Sequence, residues 1–131
     1  MTKTVQLSFS YPVPAATLYR IFVTSAQHSA ATGSPGRINA KVGGRFSLFE
    51  GALTGRTLYR APGRLLVQTW RSTSFKPGDA ESILVVEFRD QGKRGVMSFL
   101  HVNVPDHDAA GIRAGWRSYY YDNWLAYLQR R

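Results

Sequence analysis

Three polar side chains of this sequence could act on a bound molecule: one histidine, one asparagine and one tyrosine. His101 lies in the middle of an apolar segment, residues 97–103, that alternates like a strand. Asn123 lies among aromatic residues on a predicted helix face, where burial of its amide would require a hydrogen-bond partner. We predict that His101, Asn123 and one tyrosine hydroxyl converge in a cavity. There they could orient a ligand by hydrogen bonds. We do not expect them to catalyse a reaction, because most buried polar side chains are hydrogen-bonded parts of a core.

Other catalytic chemistries have little support. Cysteine is absent, which excludes a thiol nucleophile and a disulfide framework. Neither a Gly-x-Ser-x-Gly motif nor a glycine-rich phosphate loop before a helix occurs. His101 and His107 are spaced with Asp106 and Asp108 as metal ligands could be, but the two aspartates are better explained as helix caps. Glu50 and His101 could pair across strands, although nothing requires it. We predict no metal, no cofactor and no catalytic residue.

Length and charge narrow the class of protein. The 131 residues suit a single domain spanning 1–131, and 17 Lys and Arg against 8 Asp and Glu give a net charge of +9. The basic residues are spread along the chain and no nucleic-acid-binding motif is present, so we expect a solvated basic surface and no nucleic-acid partner. No segment has the roughly 18 consecutive apolar residues of a membrane span, and the N-terminus does not read as a targeting signal. We expect a cytoplasmic protein.

Alternation of apolar and polar residues predicts a β-rich chain. Val5, Leu7 and Phe9 recur at period two and predict a first strand over 3–10, which two short helices over 14–23 and 24–31 follow. Further strands are predicted over 37–40, 45–50, 53–60, 64–74, 81–89 and 96–104. Short clusters of Gly, Pro and Asp separate them. Because parallel pairs need long crossovers, these strands must form an antiparallel meander.

The end of the chain is predicted to be one long helix. Asp106 or Asp108 would cap its start, since a negative charge suits a helix N-terminus. Its apolar face is predicted from spacings of three and four to contain Ile112, Trp116, Tyr119, Tyr120, Asn123 and Tyr127. Only this helix is long enough to cover the apolar face of the sheet. The predicted fold is therefore α+β, a helix-grip: a curved antiparallel sheet wrapped around a long C-terminal helix, with two short helices after the first strand.

The same alternation predicts which side chains point between sheet and helix. On the strand over 81–89, Leu84, Val86 and Phe88 are predicted to face inward. The predicted ligand-pocket residues are Phe46, Leu48, Trp70, Leu84, Val86, Phe88, Met97, Phe99, His101, Trp116, Tyr120 and Asn123. Two interpretations remain open: the large side chains fill a core, or they line an apolar pocket with a few polar groups, as small-molecule sites usually do.

Four segments in a consistent order resemble a known family. They are HSAATG at 28–33, VGGRFSLFEG at 42–51, APGRLLVQTWR at 61–71 and GWRSYY at 115–120. The series resembles the homologues of the activator of the heat-shock protein 90 ATPase, in their C-terminal-type domain. That family belongs to the START-like, or SRPBCC, superfamily, so the resemblance implies the helix-grip fold.

The resemblance implies three possible functions. The first, which we favour, is a non-enzymatic START-like domain that binds a small hydrophobic or aromatic molecule between sheet and C-terminal helix. The second is a chaperone-associated or stress-related protein-interaction module, and the third is a cyclase- or hydrolase-type enzyme that uses the same cavity. Fold alone does not decide among them. The sequence leaves the oligomeric state open, and a homodimer is compatible with it.

Overall fold

Seven strands form one antiparallel sheet in the computed structural model, which describes residues 1–130. The strands β1 to β7 are Thr2–Tyr11, Gly36–Ile38, Arg45–Leu48, Leu53–Ala61, Leu65–Ser72, Ser82–Gln91 and Arg94–Pro105. Their spatial order is β1-β7-β6-β5-β4-β3-β2. Consecutive strands thus form a meander, and the first strand pairs with the last. The predicted helix-grip architecture is confirmed.

Alternating burial along the strands explains why the sheet has one covered face. On β6, Leu84 and Val86 have no exposed surface, whereas Ile83 and Val85, which alternate with them, are only half-buried. The inward orientation predicted for this strand is correct. The inward side chains of the neighbouring strands are buried in the same way: Leu66, Gln68, Trp70, Met97, Phe99 and His101.

Two short helices follow β1, as predicted. They are α1, Ala15–Val23, and α2, Ser25–Thr32. The backbone N–H of Ala15 donates a hydrogen bond of 2.9 Å to the carboxylate of Asp90, so a residue of β6 satisfies the start of α1. α2 ends at Gly33, whose left-handed φ of +80° is favourable for glycine.

The last segment contains four helical elements. A 3₁₀ turn over Asp106–Asp108 precedes helix α3, Ala109–Gly115, which continues through a π-helical segment, Trp116–Asp122, into helix α4, Asn123–Arg130. Asp108 occupies the predicted N-cap position of α3, but neither Asp106 nor Asp108 accepts a capping hydrogen bond from the helix. Asp108 instead accepts one from the Ser74 hydroxyl. No helix within residues 1–130 is long and apolar enough to cross a membrane.

The π-helical segment changes which residues face the sheet. Its hydrogen bonds close wider turns than those of an α-helix, and the buried stripe runs at steps of four: Trp116, Tyr120, Trp124 and Leu128. The prediction from α-helical spacing is right for Ile112, Trp116 and Tyr120 but misses Trp124 and Leu128. Tyr119 is 53% exposed, and Asn123 and Tyr127 are half-buried.

A glycine allows β4 to approach its neighbours closely. A Cβ atom at Gly55 would overlap the carbonyl oxygen of Thr69 on β5 and the ring of Phe46 on β3. We therefore expect Gly55→Ala to lower the free energy of unfolding by about 1–3 kcal/mol, because overpacking forces the backbone to move. Gly78→Ala is the matched control, since no atom of residues 1–130, apart from its chain neighbours, lies within 4 Å of a Cβ at Gly78. Urea denaturation measures the free energy of unfolding of both variants. Equal losses in the two variants would contradict this packing.

Candidate functional site

His101 is held in a hydrogen-bonded chain within the core. The indole N–H of Trp116 donates to Nδ1 of His101 over 3.2 Å, and Nε2 lies 2.8 Å from the Ser82 hydroxyl. That hydroxyl donates its own proton to the backbone carbonyl of Trp70 at 2.7 Å. Since the indole can only donate, His101 must carry its proton on Nε2 and donate to Ser82. Every polar atom of the imidazole therefore has a partner.

The same surroundings keep His101 uncharged. Burial lowers the pKa of His101 to about 4, because the charged form loses its hydration. A protonated ring would also place a second N–H against the indole N–H of Trp116. The imidazole ring of His101 lies 4.6 Å from the Trp70 ring, measured between centroids. His101 thus behaves as a neutral core residue with satisfied hydrogen bonds.

A second buried histidine belongs to a separate cluster. The hydroxyl of Tyr120 lies 3.0 Å from Nε2 of His28, which is 1% exposed. Burial lowers the pKa of His28 to about 4 and raises the pKa of Tyr120. Phe22 stacks against Tyr120 with centroids 5.8 Å apart. Sequence reasoning assigned no role to His28, because a histidine in a short helix gives no periodic signal of its own.

The predicted convergence of polar groups does not occur. The amide of Asn123 donates a hydrogen bond of 2.9 Å to the carbonyl of Thr32, at the end of α2. His101, Tyr120 and Asn123 therefore bind three different partners: Ser82 with Trp116, His28, and the backbone of α2. The sequence did not indicate that α2 would approach the C-terminal helix and form hydrogen bonds with two of these groups, Tyr120 and Asn123.

An open cleft lies where α3 and the π-helical segment meet strands β4 and β5. Its volume is about 380 Å³, within the roughly 300–1,000 Å³ typical of ligand sites. Five aromatic side chains line it: Phe49, Trp70, Trp116, Tyr119 and Tyr120. Trp70 and Trp116 lie 5.8 Å apart and Phe49 and Tyr119 lie 5.3 Å apart, measured between ring centroids. The cleft thus combines apolar walls with access to solvent.

Three of the predicted pocket residues line this cleft: Trp70, Trp116 and Tyr120. Phe46 and Leu48 instead border a much smaller gap of about 10 Å³ beside α1. The remaining predicted residues are not among those that line the cleft. They are Leu84, Val86, Phe88, Met97, Phe99, His101 and Asn123. The open space therefore lies at one end of the C-terminal helix. Large side chains fill the rest of the region between that helix and the sheet.

Phe49 reaches the cleft because the chain turns sharply after β3. Phe49 and Glu50 have left-handed φ angles of 53° and 57°, followed by Gly51 at 89°. Such angles are uncommon for residues other than glycine and cluster at functional sites. β3 consequently ends at Leu48, two residues before the predicted end of that strand. The Glu50–Gly51 turn signal was visible in the sequence, but the direction of the Phe49 ring was not.

Small residues of α3 keep the cleft open. Gly111 and Gly115 are four residues apart, so they lie on one face of the helix, and both line the cleft. A Cβ atom at Gly111 would have only one neighbour within 4 Å, the Oδ1 atom of Asp108 at 3.9 Å. Glycine is unfavourable inside a helix, and this pair could have indicated the cleft before the structure was known.

The polar rim consists of two serines and one carboxylate. Ser72 and Ser74 have hydroxyl oxygens 2.7 Å apart, and the Ser74 hydroxyl donates to Oδ2 of Asp108. The neighbouring His107 contacts Asp79 at 3.0 Å. No group of three or more His, Asp or Glu side chains in residues 1–130 is arranged to hold a metal ion.

Comparison with known proteins identifies relatives over nearly the whole chain. Residues 12–129 match the family described as Activator of Hsp90 ATPase homolog 1-like protein. The human Activator of 90 kDa heat shock protein ATPase homolog 1 is 28% identical over 105 residues, which is 80% of this chain and 31% of the human protein. The Dictyostelium discoideum homologue is 28% identical over 117 residues, or 88% of this chain and 30% of that protein. The chain thus spans about a third of the length of these relatives.

Solved structures share the fold at lower sequence identity. An HSP90 activator from Plasmodium falciparum has a TM-score of 0.84 at 23% identity, covering 96% of both chains. CalU16 from Micromonospora echinospora has a TM-score of 0.81 at 16% identity, covering 96% of this chain and 76% of that one. At these identities the similarity shows the architecture alone.

Proposed function

Because the chain belongs to the Activator of Hsp90 ATPase homolog 1-like family, as the four sequence segments indicated, we propose that it is a non-enzymatic START-like domain that binds a small hydrophobic or aromatic molecule. The observation that carries this proposal is the open cleft of about 380 Å³ with five aromatic side chains in its wall. Concave, mostly apolar sites with a few polar groups are the usual form of small-molecule sites. The ligand would lie between α3 and the ends of β4 and β5.

The state of the buried histidines supports binding rather than acid–base chemistry. A general base needs an accessible proton acceptor with a pKa near the working pH. Both ring nitrogens of His101 are already hydrogen-bonded, and burial lowers the pKa of this residue to about 4. His28 has the same lowered pKa and contacts Tyr120 on the far side of the aromatic wall. Neither histidine lines the cleft.

A side chain that fills the cleft should weaken ligand binding. We expect Gly111→Leu to weaken binding of the neutral fluorescent probe N-phenyl-1-naphthylamine by at least about tenfold, because the leucine side chain would occupy space that a ligand needs. Fluorescence titration measures the affinity. Ala110→Leu is the matched control, since Ala110 is an exposed neighbour on the same helix that does not line the cleft. Wild-type binding that Gly111→Leu leaves unchanged, or no binding by the wild type, would contradict the proposal.

The relatives' names support one alternative, a chaperone-associated module. Two exposed arginines on the sheet surface are compatible with it: Arg45 on β3 pairs directly with Arg56 on β4, an unfavourable arrangement of like charges that an acidic partner would relieve. A change in the ATPase rate of a purified Hsp90 on addition of this chain would favour that alternative. The proposed cytoplasmic location and stress-related role remain predictions.

A further inference from the structure

The electrostatic character of the cleft is opposite to that of the chain. The sequence contains 17 Lys and Arg residues and has a net charge of +9, yet no basic side chain within residues 1–130 lines the cleft. Among the residues that the structure describes, the one charged group in the cleft lining is the carboxylate of Asp108. A single acidic group among aromatic walls is therefore the feature that would discriminate among apolar ligands.

One oxygen of this carboxylate is available to a ligand. Oδ2 of Asp108 accepts the hydroxyl of Ser74, which in turn accepts from Ser72, and these bonds orient the group. Oδ1 makes no hydrogen bond within residues 1–130 and lies beside Gly111, which also lines the cleft. The ion pair in the part of the chain that the structure describes joins His107 to Asp79. No lysine or arginine of that part neutralises Asp108.

The aromatic walls favour the same kind of ligand. The faces of tryptophan and tyrosine rings carry negative electrostatic potential and attract cations within about 6 Å of the ring centre. Trp70, Trp116 and Tyr119 line the same cleft as the Asp108 carboxylate. A neutral aromatic molecule would gain contact with the walls, but only a cation would also gain from Asp108.

We infer that this cleft takes a compact organic cation, an apolar body that carries an amine or quaternary ammonium group. The cationic group lies beside Oδ1 of Asp108, and the apolar body packs against Trp70 and Trp116. This inference rests on the proposed function and narrows its ligand class. The net positive charge of the chain does not prevent such binding, because salt at physiological strength screens charges beyond about 8 Å.

Two probes of the same shape test the charge requirement. Benzyltrimethylammonium carries a quaternary nitrogen where neopentylbenzene has a carbon atom, so the two differ in charge alone. We expect the wild-type protein to bind the cation at least about tenfold more tightly, which corresponds to about 1.4 kcal/mol. Affinities are measured by displacement of N-phenyl-1-naphthylamine and by ligand-observed NMR.

The variant that assigns the effect is Asp108→Asn. It should weaken binding of benzyltrimethylammonium about tenfold and leave neopentylbenzene within about twofold, because the amide keeps the shape and an acceptor for Ser74 but loses the charge. Asp106→Asn is the matched control, since it removes the same charge from an exposed residue outside the cleft lining. Circular dichroism and thermal melting establish that both variants are folded.

The possible results distinguish the cation inference from the proposed function. Equal affinity for the two probes, with both lost in Gly111→Leu, would overturn the cation inference and leave the proposed function standing. A cation preference that persists in Asp108→Asn would overturn the assignment to this carboxylate. Absence of binding by either probe and by N-phenyl-1-naphthylamine would overturn both.

Discussion

Lowering the pH from 8 to 4 is expected to remove roughly 6 kcal/mol from the free energy of unfolding, because two buried histidines stay neutral in the folded state. Burial lowers the pKa of both His28 and His101 from 6.5 to about 4. Well above pH 6.5 neither state binds the proton, so stability does not depend on these groups. Below pH 6.5 the unfolded chain takes up protons that the folded protein excludes, and each histidine then costs about 3 kcal/mol by pH 4.

Urea denaturation between pH 7 and pH 4.5 measures this loss, and NMR of the histidine ring protons tests its cause. The folded protein should show no titration of His28 or His101 between pH 7 and pH 5. His107→Gln is the control, since His107 is partly exposed and should leave most of the pH dependence unchanged. The hydrogen bond from His107 is the main factor that lowers the pKa of the Asp79 carboxyl from its usual value, so the contribution of this carboxyl is lost only at lower pH. Stability that stays constant from pH 6.5 to 4.5 would be inconsistent with both assignments.

Replacing Trp124 with alanine is expected to lower the free energy of unfolding by about 3–5 kcal/mol, the usual cost of removing a large aromatic side chain from a core. Trp124 has no exposed surface. Its ring lies 6.0 Å from that of Tyr11 on β1, 5.9 Å from Phe22 on α1 and 5.7 Å from Tyr120, between centroids. Trp124 therefore joins the first strand, the first helix and the C-terminal helix.

Two further variants show whether the effect comes from this packing. Tyr119→Ala on the same helix should cost less than about 1 kcal/mol, because that side chain is 53% exposed. Trp124→Phe should cost less than the alanine variant, since it keeps a ring and removes an indole N–H that has no hydrogen-bond partner within residues 1–130. Equal losses of stability for Trp124→Ala and Tyr119→Ala in urea denaturation would contradict the burial of Trp124 and the exposure of Tyr119. The helix face predicted from α-helical spacing would then be correct.

The fold could be predicted because its signals are local. Alternation along β6 alone identified Leu84, Val86 and Phe88 as inward residues, and short glycine-containing turns required antiparallel neighbours. Predicted strand ends were less accurate. β3 ends at Leu48 because the next two residues adopt left-handed backbone angles, and composition does not reveal that conformation.

The candidate site could be predicted only in part. The sequence placed His101 and Trp116 on facing surfaces, and the structure joins them by a hydrogen bond. It did not indicate that Ser82 would take the other ring nitrogen. Hydrogen-bond partners come from elements far apart in the chain, so a pattern along one strand cannot identify them.

The sequence by itself determined the order of elements and the face that each strand turns towards the core, because side chains alternate on any extended backbone. Only the tertiary structure decided that a π-helical segment would carry Trp124 into the core and that glycines of α3 would leave a cleft beside Asp108. The physical reason is that helix register and empty space depend on how several elements pack together, and the packing of distant side chains has no periodicity that a single segment could display.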